Sequence, residues 1–199
     1  MVLLMFLLSR WAGGLVERYG PRKPLIIGPL VAAGGFALFA LPEVGGSYWT
    51  TYFPAVLVLG FGMTVSVAPL TTLVMSSATQ NRAGAASGIN NAISQTAALL
   101  AIAISAPIFF ACFRTALPNQ MKAAGVSPPV IQQLQEQQKL LGAIETDDPK
   151  GRIAIDLAFV DAFRLIAVLA ATASACAGVA AIATIRNQNS DTHSGAMVG

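Results

Sequence analysis

From Val44 to Asn81, and again from Ala83 to Phe113, the chain carries no charged side chain; Pro24–Pro42 and Leu165–Ile185 are two further runs of this kind. A run of about 20 mostly apolar residues crosses the roughly 30 Å hydrocarbon layer of a membrane as an α-helix, because a helix satisfies its own backbone polar groups without water. Each run therefore predicts one spanning helix. The longest opens with Gly45-Gly46-Ser47-Tyr48-Trp49-Thr50-Thr51-Tyr52, a turn followed by an aromatic belt, which places its helix at Thr51 to Ser76. Met1 to Ala12 is also apolar, but about a dozen residues make only half a span. No basic residues precede it and no small-x-small cleavage pattern follows it, which argues against a secretory signal. The expectation is a truncated first helix, so that the chain reads as the C-terminal part of something longer.

Of the 199 residues, 55% are hydrophobic and 11% charged, against about 25% charged in soluble domains. So few charges cannot coat a water-facing surface, and this excludes a soluble globular enzyme. The net charge of +3 reflects few acids rather than a basic patch. Lys and Arg stand singly or in small groups between apolar runs, so nucleic acid is not a predicted partner. Cys112 and Cys176 lie inside apolar runs without a ligand companion. There is no phosphate loop, dinucleotide fingerprint, nucleophile triad or metal-ligand cluster, so no catalytic residue, metal or cofactor is predicted.

Arg10, Arg18, Arg22 and Lys23 flank the first connection, Arg82 lies in the third and Arg186 follows the last span, whereas the second connection carries Glu43. Positive-inside bias makes the first side cytoplasmic, together with the C-terminus. The layout is then a truncated helix plus three spans over 1–113, a long external loop at 114–157, the last span at 158–186 and a disordered polar tail at 187–199 that contains His193. In the external loop Ser127-Pro128-Pro129 precedes Val130, Ile131, Leu134 and Leu141. Ser at the cap, Pro in the first turn and helical apolar spacing predict a short amphipathic helix lying on the outer face.

The first connection holds the most specific pattern: Gly13, Leu15, Glu17, Arg18, Gly20, Arg22 and Lys23 in the order Gly-x-Leu-x-Glu-Arg-x-Gly-x-Arg-Lys. It resembles the cytoplasmic loop signature of the major facilitator superfamily, with Glu17 where that family usually has Asp. Gly60-Phe61-Gly62 through Pro69, then Ala83-Gly84-Ala85-Ala86-Ser87-Gly88-Ile89-Asn90-Asn91 and Gln95, resemble the fourteen-helix drug:proton antiporter branch. Ser94, Ala97 and Ala98 stand where that branch has Arg and a Gly pair. The resemblance implies an all-α polytopic transmembrane helix bundle, the C-terminal part of a major facilitator fold.

By that resemblance the Thr51–Ser76 helix lines a cavity, and Phe61, Met63, Thr64, Ser66 and Pro69 are candidates for contacting substrate; helix packing through small residues explains the same glycines without a ligand. Ser87, Asn91 and Gln95 form one polar stripe at i, i+4, i+8, which the resemblance assigns to the contact between the two halves of the transporter. Asp161 is the one acid near a span. With Arg164 three residues on it forms a possible gating pair or a structural pair at the membrane boundary. The implied parent is a proton-coupled multidrug efflux antiporter of the bacterial inner membrane. Its partners are the lipid bilayer, protons and a small hydrophobic or cationic substrate. The piece itself is expected to be inactive. A non-catalytic membrane assembly partner, pairing with a second membrane chain, and an inactive truncated gene product remain as alternatives.

Overall fold

A computed structural model describes residues 22–45, 47–76, 82–136, 140–141 and 144–194. Helix α1 spans Arg22–Phe39, a π-helical turn Tyr48–Tyr52 leads into α2 at Phe53–Ser76, α3 spans Ala83–Ala123, α4 Pro128–Glu136 and α5 Pro149–Ser194. The described residues contain no strand, and the fold is an all-α transmembrane bundle. Among the described residues three helices are long and apolar enough to cross a membrane, over Phe53–Thr71, Ala83–Ala123 and Pro149–Thr184, while α1 gives a shorter apolar helix. Its 18 residues rise about 27 Å at 1.5 Å each. It closes with Ala40 N–H on the Ala37 carbonyl at 3.0 Å and Leu41 N–H on Leu38 at 3.3 Å.

α1 and α2 pack through small residues. Gly28, Ala32 and Gly35 recur at i, i+4, i+7 on α1, facing Leu59, Gly62 and Ser66 on α2; a Cβ on Gly35 would lie 2.6 Å from the Leu59 nitrogen and 2.7 Å from its Cα. Glycine is needed here because the two backbones meet with no room for a side chain, the usual basis of helix association in lipid. α5 crosses the other side of α1, where Gly178 meets the Leu30 side chain, the Ser174 hydroxyl donates to the Pro29 carbonyl at 2.8 Å and Phe163 packs edge-on against Phe39.

The largest departure from the expected layout is the reach of α3 and α5. The sequence suggested a loop from Arg114 to Leu157; instead α3 continues to Ala123 and α5 begins at Pro149. At 41 and 46 residues these helices are about 62 and 69 Å long, twice the hydrocarbon thickness. Their charged ends meet as an antiparallel hairpin that encloses an apolar core: Phe113, Leu117 and Met121 of α3 with Ala154, Ile155, Ala158 and Ala162 of α5. α4 does not lie free on an outer surface. Its Leu134 is buried and Val130 and Ile131 pack on the same cluster, because the hairpin offers the apolar face of α4 a closer partner than lipid.

Both hairpin ends are capped. Val126 N–H bonds the Met121 carbonyl at 3.1 Å and Gly125 N–H the Lys122 carbonyl at 3.1 Å, with Gly125 at φ +67°; this is a Schellman closure, with Val126 and Met121 joined in the core. At the start of α5 the Asp148 carboxylate accepts the Lys150 N–H at 3.1 Å, with Pro149 in the first turn. Asp148→Ala is expected to cost about 1 kcal/mol, read as faster hydrogen exchange in the first turn of α5; unchanged exchange there would refute the cap. At the other end, where a disordered tail was expected from residue 187, α5 runs on to Ser194, since no Gly or Pro follows Gly178 before Gly195.

Candidate functional site

The candidate side chains among the described residues fall in three groups: the α1–α2 interface, one face of α3, and a junction on α5. The loop signature from Gly13 to Gly20 lies outside the described residues. Of its remainder, Arg22 opens α1 and Lys23 is exposed in the first turn.

The cavity candidates fall on α2, which packs against α1. Thr64 is buried and its hydroxyl donates to the Gly60 carbonyl at 2.7 Å. Ser66 is half-buried, donates to the Gly62 carbonyl at 2.8 Å and sits against Gly28. Pro69 is fully buried, while Phe61 and Met63 are half-buried. A hydroxyl in apolar surroundings satisfies itself on the carbonyl four residues back, and both do so here.

The polar stripe stands apart from the rest of the chain. Ser87, Asn91 and Gln95 are all exposed, and from Asn91 to Ile104 every side chain of α3 is exposed, with Ile93 at 64% and Leu99 at 67%. Small and apolar residues surround the stripe. Where α3 leaves α5, an apolar cleft of about 350 Å³ opens between Ile102, Ser105 and Ile108 on one side and Ile166, Leu169 and Ala173 on the other.

The junction on α5 corrects the pairing expected from spacing. Asp161 and Arg164 do not bind each other. The Gln120 side-chain amide donates to the Asp161 carboxylate at 2.8 Å, which ties α3 to α5. Arg164 Nη2 donates to the Pro42 carbonyl at 3.1 Å, which ties the α1–α2 connection to α5. An edge-on aromatic pair flanks each link: Phe109 with Phe159, centroids 5.1 Å apart, on the α3 side, and Phe39 with Phe163 at 6.4 Å on the α1 side. Arg164 Nε is buried with no acceptor. Neither Gln120 nor Pro42 is singled out by the sequence. The only trace of Gln120's role is a polar residue beside the apolar row Phe113, Leu117 and Met121. No group of three His, Cys, Asp or Glu side chains gathers at metal-binding distance among the described residues, and Cys112 and Cys176 are free thiols.

Comparison with curated proteins returns no match, and neither does comparison with solved structures. A family profile described as Major Facilitator Superfamily matches residues 1–102. That range takes in the loop signature, α1, α2 and most of the exposed face of α3. A match over more than half of the chain, on apolar helices suited to a lipid bilayer, settles the family: the chain belongs to the Major Facilitator Superfamily of membrane transporters.

Proposed function

We propose that these helices form one part of a proton-coupled exporter of hydrophobic or cationic compounds, and that the 199 residues do not transport by themselves. The observation that carries this reading is α3. A helix with every side chain exposed from Asn91 to Ile104 and a row of Ser87, Asn91 and Gln95 along one face is suited to meet another helix, since hydrogen-bonding side chains in lipid associate with partners rather than with acyl chains. The same row supports assignment as the contact between two halves of a transporter. Export of drug-like compounds is supported by the resemblance of Gly60 through Pro69 and of Ala83 through Gln95 to the drug:proton antiporter branch. In that role Phe61 and Met63 offer apolar contact. Thr64 and Ser66 contribute shape, since their hydrogens are engaged on their own helix.

Lys23 and Arg82 lie at the starts of α1 and α3, at the end of the bundle opposite Pro42. Positive-inside bias supports a cytoplasmic placement for that end, for the Gly13–Lys23 loop and for the C-terminus, with the hairpin outside a bacterial inner membrane. The test is transport of a cationic dye by the chain reconstituted in liposomes under a pH gradient. The expected result is flux equal to that of protein-free vesicles; proton-dependent export would overturn the reading. The same α3 face also fits a non-catalytic assembly partner. In that case a second membrane chain co-purifies and is lost on Asn91→Leu with Gln95→Leu, while no dye moves even with that chain present.

A further inference from the structure

We propose that the seam between α3 and α5 holds one anionic phospholipid of the phosphatidylglycerol class, with an acyl chain along the cleft and the headgroup on Thr115, Asn119 and Lys122. The cleft between Ile102 and Leu169 is one of a pair. A second, of about 500 Å³, continues it toward the hairpin between Ile108, Ala111, Cys112, Thr115 and Asn119 of α3 and Leu165 of α5. Ile108 lines both, so the two make one open furrow from Ala101 to Asn119, about 27 Å long at 1.5 Å per residue.

The furrow passes from hydrocarbon to water part-way along. On α3 the uncharged run ends at Phe113, and on α5 it begins at Leu165. Leu165 lines the furrow together with Cys112, so both helices set the boundary at one level. On the lipid side, Ala101 to Ala111 rises about 15 Å, half of the roughly 30 Å hydrocarbon layer and therefore the depth of one leaflet's acyl chains. The walls there are apolar except for Ser105, whose hydroxyl is engaged on the Ile102 carbonyl at 3.3 Å. On the water side the lining turns polar. The Thr115 hydroxyl donates to the Ala111 carbonyl at 2.9 Å and the Asn119 amide to the Thr115 carbonyl at 3.3 Å. Those bonds use donors, which leaves the Thr115 oxygen and the Asn119 side-chain carbonyl as acceptors for the hydroxyls of a glycerol headgroup.

Lys122 completes the row Ala111, Thr115, Asn119, Lys122 at helical spacing. It is exposed and pairs with no acid among the described residues. Helical side chains lean toward the N-terminus of their helix, here toward the membrane, so the long Lys122 stem carries its ammonium down to the level of a lipid phosphate. A choline headgroup would set a second cation against Lys122 and offer Asn119 no hydroxyl, so the furrow selects phosphatidylglycerol over phosphatidylcholine. Arg114 carries the same charge on the same helix but does not line the furrow. One residue before Thr115, it stands about 100° around the helix. The site goes beyond the proposed transport reading and does not depend on which compound is carried.

The experiment is native mass spectrometry of the full chain in detergent, titrated with phosphatidylglycerol or with phosphatidylcholine of the same acyl chains. The first phosphatidylglycerol is expected to bind about fivefold more tightly, the worth of one basic residue near an anionic headgroup. Lys122→Gln is expected to abolish that preference and leave the first phosphatidylcholine unchanged, whereas Arg114→Gln keeps the preference. Both residues are exposed, so neither change touches the core. Ala111→Trp, which fills the furrow, is expected to weaken the first adduct of either lipid. A preference that survives Lys122→Gln would overturn the proposal. Equal loss in the Lys122→Gln and Arg114→Gln variants would reduce it to general surface charge and also overturn it. Glycerol phosphate without acyl chains is expected not to bind; binding as tight as the lipid's would show a phosphate site that has no need of the furrow.

Discussion

Phe113→Ala is expected to lower the free energy of opening the α3–α5 hairpin by about 3–5 kcal/mol. Phe113 is completely buried, as are Leu117 and Met121 on the same face, and α5 contributes Ala154, Ala158 and Ala162 beside Ile155 to the cluster they share. Alanines bring α5 close and cannot extend into the space, so the void left by the lost ring is only partly refilled. At about 1.4 kcal/mol per decade, hydrogen exchange of the Phe113–Ala123 amides is expected to speed up by roughly two to four orders of magnitude. Ile104→Ala on the same helix removes a side chain that is 60% exposed and is expected to change exchange by less than about 0.5 kcal/mol. Equal effects at the two positions would show that the hairpin core does not hold this end together.

Gly35→Leu is expected to destabilise the α1–α2 pair by at least about 1–3 kcal/mol, and Gly34→Leu to be neutral or stabilising. The contrast lies in what each new side chain meets. A Cβ at Gly35 falls on the Leu59 backbone, whereas one at Gly34 meets nothing within 4 Å. Backbone cannot swing aside as a side chain does, so α1 and α2 must part and Thr64, now buried, is uncovered. The gain from replacing a helical glycine, about 1 kcal/mol, is common to both variants and cancels in the comparison. Unfolding in detergent followed by circular dichroism measures both, and equal midpoints would refute close approach at this crossing.

That the four uncharged runs are helical was legible, because an apolar run of that length has few alternatives; three of them reach spanning length among the described residues and the run at α1 gives a shorter helix. The helix ends were not, and the reason is specific. Arg114, Lys122, Lys150, Arg152 and Asp156 read as loop because they break the apolar runs, but charge ends only the contact with lipid, not the helix. Phe113, Leu117 and Met121 continue at helical spacing straight past Arg114. The true ends carry local signals of their own: Gly125 after Lys122 for one, Asp148-Pro149 for the other. The position of α4 was legible from Ser127 and the two prolines. Where its apolar face goes was not, since both a membrane surface and the hairpin accept Leu134. Spacing likewise suggested that Asp161 and Arg164 pair, but Gln120 and Pro42 are remote in sequence, and their proximity is a product of the fold. The polar row of Ser87, Asn91 and Gln95 was fully legible, because i, i+4, i+8 on an established helix leaves nothing to tertiary choice.

One consequence of the hairpin concerns how such a chain is built. Its core draws on α3, the α3–α5 connection and α5 as far as Ala162, so it closes only after the start of α5 has been synthesised. With the hairpin on the outer side, as proposed, the segment between Arg114 and Ala162 would cross the bilayer as loose chain and condense there. Once condensed, it is too broad and too polar at its rim to slip back. On the proposed placement, the crossings of α3 and α5 would be held by a knot of side chains tied outside the lipid, a doorstop set late in biogenesis.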